Sequence, residues 1–470
     1  MGGNSESRGN YLAKNTAIFA IGSIATKLIT FFLVPLYTNI LTTAEYGVVD
    51  LVNTLSTVLG PILILNIYEA VLRFALDKGA DYNKIMSIGL TILGGGLTVG
   101  LLIIPITSTI DGYGQYSVFI YFYVLSLAAS LLFLSYLRGK EKLVLYSIGN
   151  VIHTLSIAVL NIIFLAVLHK GIKGYFTAYI IANAISVVFA YYAGNVRDVI
   201  WNFKWDSTLA KAMTKYSVVL IPNTFMWWIT NSSDRVMVTT MISAAANGLY
   251  AVSYKLPSLV NTFSVVFNQA WNYSAIRENE SVDRDQYNTQ VYNGVVAVAV
   301  VSGVALMAIM KIFLKIYVGQ EYFEAWRYTP YLIIGYVFLT LGTFLGTSYT
   351  VNKDSKGYLF SGTSGALINI VLNFALIPVI GISGAALATC TSYIVVYVYR
   401  CIDTKKYVRI NILNKKHLIS YFVMIIVAFL MFVDSVWGQL LMFSGLAIEV
   451  FLFKDIWSKL VAALIRKIRK

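Results

Sequence analysis

The chain has 470 residues, of which 58% are hydrophobic and only 12% charged, and its mean hydropathy is +0.71. Soluble domains carry about a quarter charged residues, so a soluble enzyme or binding module is excluded and an all-α polytopic membrane protein is indicated. The formal charge of +14 would suit nucleic acid only if gathered on a basic domain; instead lysine and arginine concentrate in alternate loops and tails, the positive-inside pattern of membrane orientation.

Residues 1–12 form a polar tail, and the apolar run that follows is too long for the core of a signal peptide and lacks a small-residue cleavage site, so it reads as a retained first span. Runs of about 20 apolar residues, enough to cross about 30 Å of hydrocarbon, recur about fourteen times along the chain. They fall near 13–38, 46–70, 84–107, 117–137, 143–168, 175–195, 214–242, 249–273, 290–317, 328–351, 358–379, 381–400, 418–433 and 438–453. An even count places both termini on the cytoplasmic side, as the Lys/Arg asymmetry also requires.

The first span holds Lys27 near its middle, with no acid one turn away, so it must face protein, water or ligand. The second carries Asp50, then Glu69 and Arg73, four apart and on one helical face; Arg73 also suits an interfacial anchor. Gly94-Gly95-Gly96 in the third span suggests close backbone approach to a neighbour. No Gly-rich loop ends in Gly-Lys-Ser/Thr, so no ATP chemistry is expected. His153, His169 and His417 are scattered, Cys390 and Cys401 lie too far apart along a helix to bridge, and no metal or cofactor is expected.

Residues 196–213, with Trp201, Phe203 and Trp205 among Arg197, Lys204 and Lys211, read as an amphipathic cytoplasmic linker on the inner leaflet. It separates an N-lobe (13–195) from a C-lobe (214–400). The C-lobe opens with the most charged hairpin of the chain: Asp234 and Arg235, then Tyr250, Tyr254 and Lys255. If Ala244 to Gly248 make the turn, a rise of about 1.5 Å per residue puts Asp234 and Lys255 at similar depth. Charge there is costly unless paired or facing a wet cavity, and so marks function.

The lobes read as copies. Leu160-Asn161 and Gly171-Ile172-Lys173-Gly174 recur about 210 residues later as Leu372-Asn373 and Gly381-Ile382-Ser383-Gly384, and Gly47 is echoed by Gly248 about 200 residues on. Each offset carries six spans, an even number, so the copies are parallel, the arrangement in which one lobe rocks against the other around a central cavity. Lys311 and Lys315 close the ninth span and reach for the outer surface. A cytoplasmic loop (401–417) leads to two spans outside the repeat (418–453), where Glu449 stands almost alone among apolar residues. Residues 454–470 then form a basic amphipathic C-terminal helix.

Several stretches now carry a family likeness: Leu33-Val34-Pro35-Leu36-Tyr37 through Glu45-Tyr46-Gly47; Asp234-Arg235 through Gly248-Leu249-Tyr250 to Lys255-Leu256-Pro257; Phe267-Asn268-Gln269-Ala270-Trp271; and Asn369 through Asn373 and Pro378 to Thr389. The chain resembles the oligosaccharide flippases of the polysaccharide transporter family, O-antigen flippase-like members of the multidrug/oligosaccharidyl-lipid/polysaccharide exporter superfamily. The family's proline after the tryptophan is replaced, since Asn272 and Tyr273 follow Trp271. The resemblance implies two six-helix lobes around a central cavity plus two C-terminal helices in a bacterial cytoplasmic membrane. It also implies translocation of undecaprenyl-diphosphate-linked oligosaccharide, with a polysaccharide polymerase downstream. Cavity bases that hold diphosphate or acidic sugar would be Lys27 and Lys255, with Arg235 and Arg73 behind them; Asp234, Glu69 and Asp50 are the acids for support or ion coupling. A drug/cation antiporter of the same superfamily is the alternative, although it would want an acidic cavity. A membrane glycosyltransferase or polymerase would want an outer loop with paired carboxylates, and the outer loops are short.

Overall fold

Backbone polar groups in hydrocarbon must be satisfied within their own segment, which leaves helices for a chain this apolar. The computed structural model describes residues 26–412 and 414–458, and these are helical with no strand among them. The polar N-terminal tail, the start of the first span and most of the basic C-terminal helix lie outside the described residues. Among the described residues nine helices are long and apolar enough to cross a membrane, with further apolar helices beside them.

The chain forms two compact units, residues 1–232 and 233–470. The first holds α1 (26–40), α2 (Thr43–Leu63), α3 (Ile67–Ala75), α4 (Tyr82–Gly100), α5 (Ile103–Ser108), α6 (Ser117–Gly139), α7 (Leu143–Asn161), α8 (Gly171–Gly194), α9 (Val196–Trp201) and most of α10 (Ser207–Met241). The second holds the end of α10, then α11 (Ala244–Ser253), α12 (Pro257–Arg277), α13 (Arg284–Tyr317), α14 (Thr329–Val351), α15 (Ser355–Ile380), α16 (Ile382–Asp403), α17 (Lys415–Leu430) and α18 (Val436–Leu452).

Local chemistry sets the helix ends. Thr42 and Glu45 close a capping box at the start of α2, satisfying two of the N–H groups a helix leaves unpaired. Ser243 caps α11 through the backbone N–H of Ala246. The turn therefore falls at Ile242–Ser243, and Ala244 to Gly248, expected from sequence as the turn, are helical: a serine side-chain acceptor outweighs a run of alanines, the best helix formers. Gly171 and Gly381, both at positive φ (53° and 59°), open α8 and α16, where a side chain would be strained. The glycine repeat seen in the sequence is thus a repeated turn.

In the first unit α6 lies against α2, α3, α4 and α8, and the core runs from Ile64, Ile67 and Val71 through Ile85, Ile88 and Leu132 to Val196 and Met213. The second expected span is interrupted. Leu65 and Asn66 take positive φ (51° and 54°) between α2 and α3, and buried Asn66 donates to the Thr224 hydroxyl of α10 at 2.9 Å. Of the glycine triplet only Gly96 is a close approach: a Cβ there would sit 2.7 Å from the Leu63 carbonyl oxygen, while Gly94 and Gly95 meet nothing within 4 Å. Trp201, Phe203 and Trp205 are exposed, while Lys84 pairs with Asp206 at 2.9 Å to hold that segment to α4.

In the second unit α16 packs against both α14 and α15, and the hairpin of α17 and α18 packs on α13. Lys311, expected to reach for the outer surface, bonds the exposed Asp434 of the α17–α18 connection at 2.5 Å and lies 3.8 Å from the Trp326 ring centre. The eighth expected span breaks between α11 and α12, where Pro257 opens the second piece; proline suits a first helical turn because its missing N–H would have had no partner there.

Candidate functional site

The break between α11 and α12 and the last turns of α10 bring together residues that the sequence separates. Asp234 on α10 is 4% exposed, and an ionised group so placed needs several donors. Tyr250 on α11 and Tyr254, one turn on at its C-terminal cap, each donate a hydroxyl to Asp234 Oδ2 at 2.6 Å. From α16 the Thr389 hydroxyl reaches the same oxygen at 3.3 Å. The other oxygen, Oδ1, accepts the backbone N–H of Arg235 at 2.9 Å.

Behind Thr389 the network continues into α15. Asn369 donates to the Thr389 hydroxyl at 3.2 Å and accepts from Asn373 at 3.0 Å. Asn373 is fully buried, and its carbonyl Oδ1 has no partner among the described residues. Tyr336 and Tyr393 stack edge and tilt beyond Tyr254. Carboxylate, hydroxyl and amide oxygens are the ligand types that hard cations take, and a buried carboxylate can also be neutralised by a proton.

The bases anticipated from sequence divide between the two units. The Arg235 guanidinium lies 5.5 Å from the Tyr254 ring centre, a distance at which a cation is attracted to the ring face. Lys255 is half-buried at the helix break, directly after Tyr254. In the first unit Lys27 is exposed on α1. Arg73 is exposed too and pairs with Asp77 at 2.6 Å, so the acid four residues after it, rather than Glu69 four before, is its partner. Glu69 is half-buried beside Tyr68, and Asp50 is buried at 5% exposure on α2, one turn from Asn53, which accepts the Tyr123 hydroxyl at 2.5 Å.

In the sequence Thr389, Asn369 and Asn373 stand out only as repeat and family positions. Their signal was the spacing of the two asparagines, four apart on one face of an otherwise apolar helix.

A family model described as "Polysaccharide biosynthesis protein" matches residues 12–273. The chain belongs to this family. Its polysaccharide-biosynthesis membership is joined by likeness of fold to solved transporters. A lipid II flippase, MurJ in an inward closed conformation, superposes with a TM-score of 0.69 over 96% of this chain and 100% of its own, at 14% identity. A multidrug resistance MATE family transporter of the MOP superfamily, in an inward-facing conformation, gives 0.58 over 82% and 93% at 11% identity. The Vibrio cholerae MATE transporter VcmN in its bent form gives 0.52 over 85% and 96% at 12% identity. No curated protein matches the sequence.

Proposed function

We propose that this polysaccharide-biosynthesis family member is a flippase. Its cargo is an undecaprenyl-diphosphate-linked oligosaccharide repeat unit, carried from the inner to the outer leaflet of a bacterial cytoplasmic membrane, with both termini in the cytoplasm. The reading is carried by family membership taken with a fold that spans the whole of a lipid II flippase. The polymerase that consumes the repeat unit is the downstream partner.

The physical problem suits the residues. A glycan and a diphosphate cannot cross hydrocarbon because stripping their water costs too much; a chamber with a few bases and many amide and hydroxyl groups replaces that water. Lys27 and Lys255 hold diphosphate or uronate charge, with Arg235 and Arg73 as further cations. The lobes alternate access to the two faces while the prenyl tail stays among acyl chains along α17 and α18, whose outward Phe422, Phe429, Leu440 and Phe451 are exposed and apolar. Asp234, in its nest of hydroxyls, is the coupling acid, taking a proton or a monovalent cation as the driving ion; Asp50 and Glu69 are the other embedded acids.

Translocation by reconstituted Lys27→Ala/Lys255→Ala protein, with membrane insertion verified, tests the bases. The double variant is expected to be about tenfold slower or worse, as follows from losing about 1.4 kcal/mol of head-group binding; unimpaired translocation removes both lysines from the mechanism. Imposing sodium and proton gradients separately in the same vesicles identifies the ion, and an Asp234→Asn protein that still responds to the gradient excludes Asp234.

A drug/cation antiporter is the second reading, favoured by the MATE likenesses and by the buried acid. Against it stand the embedded bases Lys27, Arg235 and Lys255, which a chamber for cationic drugs would not keep.

A further inference from the structure

We propose that Glu449 is a proton-binding site of the α17–α18 hairpin, loaded from a cavity one helical turn away. The site lies in two helices outside the sequence repeat and is separate from the Asp234 nest.

Glu449 has no exposed surface. Its Oε2 accepts the hydroxyl of Ser420, itself fully buried on α17, at 2.7 Å, and its Oε1 has no partner among the described residues. One hydroxyl does not compensate a carboxylate removed from water, so the stable species here is the neutral acid with its proton on Oε1. The helices cannot easily part to let water reach it from above. One turn along α18 a Cβ on Gly445 would lie 2.6 Å from a Val427 methyl, so α17 and α18 are already in contact at that level.

On the other side the acid has an approach. A cavity of about 670 Å³ is lined by Leu452 and Phe453, the turn of α18 after Glu449, by His417, the turn of α17 before Ser420, and by Gln290, Asn293 and Asn414. At its mouth Lys416 faces Asp455 at 3.4 Å. This end of α18 is cytoplasmic in the proposed orientation.

The charged and titratable groups around Glu449 are few. From α17 come His417 and Tyr421. His417 Nδ1 donates to the Ile412 carbonyl at 2.7 Å, its Nε2 lies 3.3 Å from the Asn414 amide, and its ring faces Tyr292 and Phe453. From α13 comes Tyr292, whose hydroxyl shares a hydrogen bond with Tyr397, followed by the apolar stretch Val295 to Val300. From the end of α18 come Lys454, held over the Phe451 ring, and Asp455. Among the described residues no cation bonds Glu449, so proton uptake, rather than an ion pair, neutralises it. Release of the proton leaves a charge that the α17–α18 contact cannot solvate, so the protonation state sets how tightly the hairpin closes.

Infrared difference spectroscopy of the full-length protein in phosphatidylethanolamine/phosphatidylglycerol vesicles tests this without any cargo, so its outcome is independent of the flippase reading. Stepped from about pH 5 to about pH 9, the wild type should show a protonated-carboxyl C=O band that disappears as pH rises. The band should be missing from Glu449→Gln, and in Ser420→Ala, which lacks the donor to the carboxylate, the disappearance should move to higher pH. Carbon-13 glutamate labelling assigns the band to a glutamate, and its retention in Glu69→Gln excludes the other embedded glutamate even if Glu449→Gln fails to insert. Absence of the band throughout would show an ionised acid, and persistence unchanged to the alkaline end a locked neutral one; either result overturns the proposal.

Discussion

Asp234 shows how one residue can be conspicuous in a sequence while its partners stay hidden. An acid and an arginine in an apolar run mark a site by their solvation cost alone, and the tyrosines that follow are close enough to be noticed with them. Thr389, Asn369 and Asn373 are not, because only the folding of α15 and α16 brings them to the carboxylate. Arg73 illustrates a different difficulty. Glu69 and Asp77 are both four residues away, and spacing cannot choose between them; the break at Leu65–Asn66 places Glu69 in the first turn of α3, which leaves Asp77 to make the pair. The nest yields a stability prediction. Tyr250→Phe and Tyr254→Phe each remove a hydroxyl donor to a buried carboxylate, a loss of about 1.5–3 kcal/mol for a charge-assisted bond, and each should lower the midpoint of thermal unfolding in detergent. In Asp234→Asn the same tyrosine substitutions should cost distinctly less, since the two sites share one network. Equal costs in both backgrounds would show that the hydroxyls do not act through the carboxylate.

At the scale of elements, span positions were legible from hydropathy and the interruptions were not. Periodicity reports which residues are apolar, whereas a break depends on a proline, a cap or a left-handed residue. Thus one expected span became α2 and α3, and another became α11 and α12. The Gly94–Gly96 triplet separates packing from mere composition. Gly96→Ala should destabilise the first unit, because its methyl meets the Leu63 carbonyl oxygen, while Gly95→Ala should be neutral or slightly stabilising through helix propensity; thermal melts of the two variants decide it, and equal behaviour would contradict the contact. The α17–α18 connection gives a pH dependence. The Lys311 ammonium holds the Asp434 carboxyl below its usual range, so this tether is fully present above the ordinary carboxylate value and is lost as pH falls through the lowered one. Limited proteolysis of the connection should accelerate on acidification in the wild type, and Asp434→Asn should be cleaved at the faster rate at every pH. A wild-type rate that does not change with pH would show that the pair contributes nothing.

For the whole molecule, the sequence carried the class, the membrane setting and the duplication, because each is written many times over in hydropathy and in repeated Asn and Gly positions. Gly171 and Gly381, matched in the expected repeat, both take positive φ where a helix opens. Cargo is different: a lipid-linked glycan is recognised by a few side chains in a chamber, and neither composition nor fold names the sugar. The direct measurement is deletion of the gene followed by analysis of lipid-linked saccharides on each leaflet of the cytoplasmic membrane. The flippase account predicts that a single undecaprenyl-diphosphate-linked repeat unit accumulates on the inner face and is cleared when the gene is restored. An unchanged distribution, with altered susceptibility to cationic drugs in its place, would contradict it.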